Sequence, residues 1–135
     1  MPVNPEFAGR VYPPSAPYGV SAAKIKEFAE AVGSTDPVHT DRAVAQARGY
    51  RDVIAPPTFA VLIAQRAEME FIFDPEAGVD FSRVVHGEEP FVHPRPLPAG
   101  DAIVCLLTFH SVQAAVCHPL IVPLTAFSPG VDPLR

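Results

Sequence analysis

Apolar side chains recur at Ile25, Phe28, Ala29 and Val32, the i, i+3, i+4, i+7 spacing that gathers them on one helix face. Ser21 ahead of them can cap a helix, and Gly33 behind them supplies a left-handed stop. Thr40 or Asp41 can cap a second, shorter helix running through Val44 and Ala47 to Gly49. Pro56-Pro57 then opens a third, from Thr58 to about Phe73, in which Phe59, Val61, Leu62, Ile63, Met69, Phe71, Ile72 and Phe73 are apolar on nearly every side. Such a helix must be wrapped by other elements. Asp74-Pro75 ends it, because a residue before proline is pushed out of the helical region.

Beyond Pro75 the chain turns strand-like, in Arg83-Val84-Val85-His86, Phe91-Val92-His93, Ile103 to Val116 and Leu120 to Phe127, with Tyr18 to Val20 a short candidate strand ahead of the first helix. Helices first and strands afterwards predict an α+β fold, an antiparallel sheet curled over a central helix. Pro123 lacks the N–H a ladder needs, so its run is expected at a sheet edge or a bulge.

Composition refines this picture. The 135 residues are read as one domain, 1–135, with 1–17 an irregular lead-in carrying five prolines. Seventeen prolines are well over twice the usual share of about 5%, and they are expected at boundaries and edges. Ten basic against fifteen acidic residues, with no Lys/Arg cluster, argue against a nucleic-acid surface. The longest mainly apolar run, Phe59 to Ala64, falls far short of the ~20 residues that cross a bilayer, and no basic stretch precedes an apolar core. No membrane span or secretion signal is therefore expected, and a cytoplasmic location is. Cys105 and Cys117 show no CxxC spacing and suit buried free thiols in a reducing compartment. His86, His93, His110 and His118 form no i, i+4 pair on a predicted helix, so no metal site is expected.

The candidate chemistry lies in Gly33-Ser34-Thr35-Asp36-Pro37-Val38-His39-Thr40-Asp41. A histidine in a turn held between two packed helices is well placed for a general base. The plainer reading makes Asp36 and Asp41 helix caps and His39 a surface residue. Glu88-Glu89 reads as a solvated sheet edge or turn, and Glu68 and Glu70 as the less buried side of the third helix.

The stretch resembles the hydratase signature of the MaoC-like, hotdog-fold (R)-specific enoyl-thioester hydratases and (3R)-hydroxyacyl-thioester dehydratases: Gly-Asp-x-Asn-Pro-x-His, a short helix, then His-Gly opening the central helix. Arg95-Pro96-Leu97-Pro98-Ala99-Gly100-Asp101 is similar to the family's Arg-Pro-x-x-x-Gly-Asp turn. Ala31-Val32-Gly33, Gly49-Tyr50 and Ala55-Pro56-Pro57-Thr58-Phe59 resemble the small dehydratase subunits of fatty-acid elongation. The resemblance implies a hotdog domain that pairs with a second hotdog chain, identical or different. It implies an acyl thioester carried on coenzyme A or acyl carrier protein, and no cofactor beyond that carrier. It makes His39 the candidate base, with Asp36 beside it, and assigns acyl-chain binding to Ser34, Thr58, Phe59, Ala60 and Ile63.

Two positions depart from the family pattern. The catalytic Asp, five residues before the His, is matched by Ser34, whose hydroxyl has no usable basicity near neutral pH. The His-Gly pair, whose Gly amide donates to the thioester oxygen, is matched by Pro56-Pro57, and proline has no N–H. Thr58 and Phe59 amides are expected to remain at the helix start. Together these departures point to a dyad-deficient subunit that holds the acyl chain while a partner carries the catalytic pair. A non-enzymatic acyl-thioester binding or regulatory module is the alternative, and a self-sufficient hydratase using His39 a further one. From Cys117 onward, 117–135 is atypical of the family's closing hairpin, which leaves divergence, a shortened chain and a changed reading frame all open.

Overall fold

The computed structural model describes residues 3–85, 95–114 and 119–129, those after 108 as backbone. The chain forms two compact units. One comprises 17–61, 95–103 and 129; the other comprises 3–16, 62–85, 104–114 and 119–128.

In the unit that starts at residue 17, strand β1, Tyr18–Gly19, lies antiparallel to strand β2, Ala102–Ala114, with Tyr18 opposite Ile103 and Gly19 opposite Ala102. Helix α1, Ala22–Ala31, is capped by Ser21, whose Oγ accepts the Lys24 N–H at 3.1 Å, and it buries Ile25 and Ala29. It stops at Gly33, where φ is +71°. The Gly33 N–H reaches the Glu30 carbonyl at 3.2 Å and the Ser34 N–H reaches the Ala29 carbonyl at 2.8 Å. These paired bonds satisfy carbonyls the helix end would otherwise leave orphaned.

A 3-10 turn, Pro37–His39, comes next, and Asp36 caps it by accepting the Val38 N–H at 3.0 Å. Helix α2, Arg42–Ala47, takes Asp41 rather than Thr40 as its cap, Oδ1 accepting from Ala43 at 2.9 Å and Val44 at 3.3 Å. It ends as α1 does: Gly49 has φ +92° and the Tyr50 N–H donates to the Ala45 carbonyl at 3.0 Å. Both helices pack against the 3-10 turn. Segment 53–55 pairs with 97–99 through Ala55 N–H to Leu97 O at 2.8 Å and Ala99 N–H to Val53 O at 2.9 Å, around an antiparallel bridge between Ile54 and Pro98.

Helix α3 is Val61–Ile72, beginning three residues later than the sequence pattern predicts. The reason is turn chemistry. Phe59 donates to the Pro56 carbonyl at 3.0 Å, a four-residue turn with Pro57 at the second position, where its fixed φ is favourable. Burial of the helix is one-sided. Its buried residues are Ile63, Ala64, Ala67 and Phe71, a single stripe, while Gln65, Arg66 and Glu70 are exposed and Phe73 lies beyond its end with 65% of its surface accessible. Off that stripe Val61, Leu62, Met69 and Ile72 are half-buried, so apolar residues do lie on most sides of the helix, with the polar ones set between them.

Within the other unit, Phe71 is bracketed by Phe7 and Tyr12, with ring centroids 5.7 and 6.5 Å away. Phe7 is held by a 3-10 turn, Pro5–Phe7, in the proline-rich lead-in, and the Arg10 guanidinium lies 4.4 Å over its ring. The lead-in continues along β2: Tyr12 N–H to Leu107 O and Ser15 N–H to Cys105 O, both 2.9 Å. Arg83-Val84-Val85 is not a strand. Asp80 accepts from the Ser82 N–H at 3.1 Å and its hydroxyl at 2.6 Å, closing a 3-10 turn over Phe81–Arg83 that leaves Val85 86% exposed. Local Asp–Ser hydrogen bonding outcompetes the β-branched pair. His86 and Phe91-Val92-His93 lie outside the described residues. Strand β3, Pro119–Pro129, is the hydrogen-bonded neighbour of β2 and ends the order β1-β2-β3, so among the described strands Pro123 sits in an edge strand as expected. No helix among the described residues is long and apolar enough to cross a membrane.

Candidate functional site

His39 is the polar side chain buried most deeply among the described residues, with 6% of its surface accessible. Its Nδ1 lies 2.7 Å from the Ile54 carbonyl oxygen. A carbonyl only accepts, so Nδ1 carries the proton, and whenever the ring is neutral its lone pair lies at Nε2. The carbonyl thus sets both the tautomer and the orientation that a general base needs. The Ile54 N–H in turn donates to the Val38 carbonyl at 3.3 Å, tying the two segments together from both sides.

The carboxylates near His39 are occupied. Asp36 accepts from the Val38 N–H and takes both oxygens to Arg48 Nη1, at 2.9 and 3.0 Å. The Val38 amide first, and the Arg48 guanidinium after it, hold the Asp36 carboxyl below the ordinary carboxylate range. A carboxylate stabilised this way is a weaker base than a free one. Asp41 caps α2. Ser34 is half-buried and is placed by its own amide rather than by its side chain.

The segment matched to the family's thioester-binding turn differs from expectation in one further respect. The Phe59 amide is not left free at a helix start, because it donates to the Pro56 carbonyl, and the α-helical ladder begins only at Val61. The Phe59 ring is fully buried, edge-on to Phe28 at 5.4 Å and to Tyr18 at 6.4 Å. Ala60 is buried and Thr58 exposed, whereas Ile63 is buried in the other unit.

Three features were not visible in the sequence pattern: Arg48 on Asp36, the Ile54 carbonyl on His39, and the clamp on Asp101. Arg51 Nη2 meets Asp101 Oδ1 at 2.7 Å, and Arg95 Nη1 lies 2.8 Å from Oδ2, an ion pair by distance without hydrogen-bond alignment. The Arg-Pro-x-x-x-Gly-Asp spacing was the available hint for the last.

The fold of the chain superposes on known domains of one class. One chain of the C-terminally truncated HadBC complex of Mycobacterium tuberculosis, a (3R)-hydroxyacyl-ACP dehydratase, superposes with TM-score 0.79 over 92% of this chain and 87% of that one, at 25% identity. A MaoC-like dehydratase superposes with TM-score 0.83 over 91% of this chain and 37% of the other, at 29% identity. The fold is therefore the α+β hotdog of MaoC-like dehydratases. A family model described as FAS1-like, dehydratase domain region, matches residues 6–117, and a UPF0336 protein of Clavibacter michiganensis is 46% identical over 98% of this chain and 87% of its own length. The chain belongs to the FAS1-like dehydratase-domain family, among its UPF0336 proteins.

Proposed function

We propose that this chain is the acyl-holding, dyad-deficient subunit of a (3R)-hydroxyacyl-thioester dehydratase, working with a second hotdog chain that carries the Asp and His. The reaction removes water across the α- and β-carbons of the acyl group, or adds it in reverse, on coenzyme A or acyl carrier protein. One observation carries the reading: His39 is buried and held by the Ile54 carbonyl as a base would be, but Ser34 stands at the carboxylate position, and Asp36 is committed to Arg48 and the Val38 amide. The Pro56-Pro57 turn supports it, since Pro57 has no amide and the Phe59 amide is taken by Pro56. A preorganised donor of that kind is worth about 2.7–4 kcal/mol of transition-state stabilisation. The likeness to HadBC, itself a complex, agrees with a partner chain.

The test is the ultraviolet absorbance of a trans-2-enoyl thioester, which hydration removes. The purified chain leaves it unchanged, and co-purification with a dyad-bearing hotdog chain brings turnover. Turnover by the chain alone, abolished by His39→Ala, would overturn the proposal.

A further inference from the structure

The turn at 95–101 does more than connect strands. Asp101, whose side chain is only 11% accessible, grips Arg51 through Oδ1 at 2.7 Å. Between these two residues and His39 lies a short, continuous set of hydrogen bonds. Arg51 leads within two residues into 53–55, and Asp101 closes the turn whose 97–99 segment pairs with it, Ala55 N–H to Leu97 O at 2.8 Å and Ala99 N–H to Val53 O at 2.9 Å. At the centre of that pairing sits Ile54, bridged to Pro98, with its carbonyl on His39 Nδ1 at 2.7 Å. The Asp101 end of the turn is anchored a second time: Gly100 N–H donates to Val20 O and Val20 N–H to Asp101 O, both at 2.8 Å.

From this we infer that the Arg51–Asp101 ion pair positions His39, by fixing the strand-like pairing of 53–55 with 97–99 and so the Ile54 carbonyl that selects the imidazole tautomer. Neither residue touches the imidazole in the described structure; both are positioning residues. The logic is that of an outer group orienting a functional histidine through its second nitrogen. Backbone pairing of three residues on each side is too short to be rigid alone, and a largely buried carboxylate that ties the two segments just beyond the Val53–Ala99 end closes it. The inference rests on the contact between His39 and the Ile54 carbonyl, not on His39 taking part in the reaction, so its readout does not need catalysis.

The experiment is long-range 1H–15N correlation of the histidine rings, assigned through His39→Gln. In the wild-type chain the neutral form of His39 is protonated at Nδ1, with slow exchange of that proton. Arg51→Ala shifts His39 toward a mixture of Nδ1–H and Nε2–H forms and speeds exchange of the Nδ1 proton by about three- to tenfold, the effect of losing one partly buried ion pair, and Asp101→Asn, which loses the Arg95 contact as well, does so at least as much. Arg51→Lys restores the wild-type pattern, since the contact is a single bond to Oδ1. Arg48→Ala, which removes the ion pair on Asp36 three residues before the same histidine, leaves the tautomer unchanged. Folded Arg51→Ala or Asp101→Asn with wild-type tautomer and exchange would overturn the inference. Arg51→Gln, which keeps the length of the side chain without its charge, takes their place should both fail to fold, and is read in the same way. Loss of enoyl-thioester turnover in the assembled complex with an unshifted tautomer counts against it too, and leaves the dehydratase reading standing.

Discussion

Replacing Phe59 by alanine separates two roles for the segment that opens α3. The ring is fully buried and meets Phe28 and Tyr18 edge-on, at 5.4 and 6.4 Å. Truncating a phenylalanine in such a setting costs about 3–5 kcal/mol, of which each aromatic pair contributes about 0.5–1.5 kcal/mol. Taking about 4 kcal/mol, and about 3–5 °C per kcal/mol for a domain of this size, Tm falls by about 15 °C. The chain has no tryptophan, so the measurement is far-UV circular dichroism against temperature and urea. Phe59→Leu, which keeps much of the volume, costs about 1–1.5 kcal/mol. Thr58→Ala, one residue earlier and exposed, stays within about 0.5 kcal/mol. If Phe59→Ala loses less than about 1 kcal/mol while weakening acyl-thioester binding, the ring lines a ligand surface and the core assignment is wrong.

The same geometry sets other outcomes. The Asp36 carboxyl titrates below its ordinary value of 3.8 in the folded chain, so the unfolded chain binds that proton more tightly. The stability it contributes is present above about pH 4 and is lost as the pH falls through the lowered value; Arg48→Ala shallows that acid limb in urea midpoints measured from pH 6 to 3. Burial, and after it Glu68 and Glu70, push the Cys105 thiol up to about 11. In a Cys117→Ser background the native chain therefore reacts with a disulfide reagent at pH 8 about a hundredfold more slowly than the urea-unfolded chain. Ser21→Ala removes the α1 cap and costs about 1 kcal/mol by thermal melting. Ser34→Asp costs under about 1 kcal/mol, the penalty for a carboxylate near a helix C-terminus.

Features encoded within four residues were legible without coordinates. Ser21, Gly33, Asp41 and Gly49 mark the ends of α1 and α2 because caps and left-handed stops are local chemistry, and the bounds track them. The long strands near 103–116 and 120–127 were visible for a similar reason, in sustained β-branched and apolar runs. Two local contests went the other way. Pro56 to Phe59 formed a turn before the helix, and Asp80 with Ser82 closed a turn where two valines suggested a strand. The candidate site was half legible. His39 and its flanking carboxylates stood out, but what each does depends on partners far along the chain: Ile54 for His39, Arg48 for Asp36 and Arg51 for Asp101. A periodicity read in windows of a few turns does not reach such pairs.

Ser34 owes its place to the bond from its amide to the Ala29 carbonyl, the last fastening of α1. Any residue but proline can make that bond, so architecture asks nothing of the side chain there. Natural selection can then exchange a carboxylate for a hydroxyl, or the reverse, without unravelling the scaffold. In duplicated chains that dimerise, one copy is free to abandon chemistry while still folding, and the division of labour between subunits needs no redesign of either.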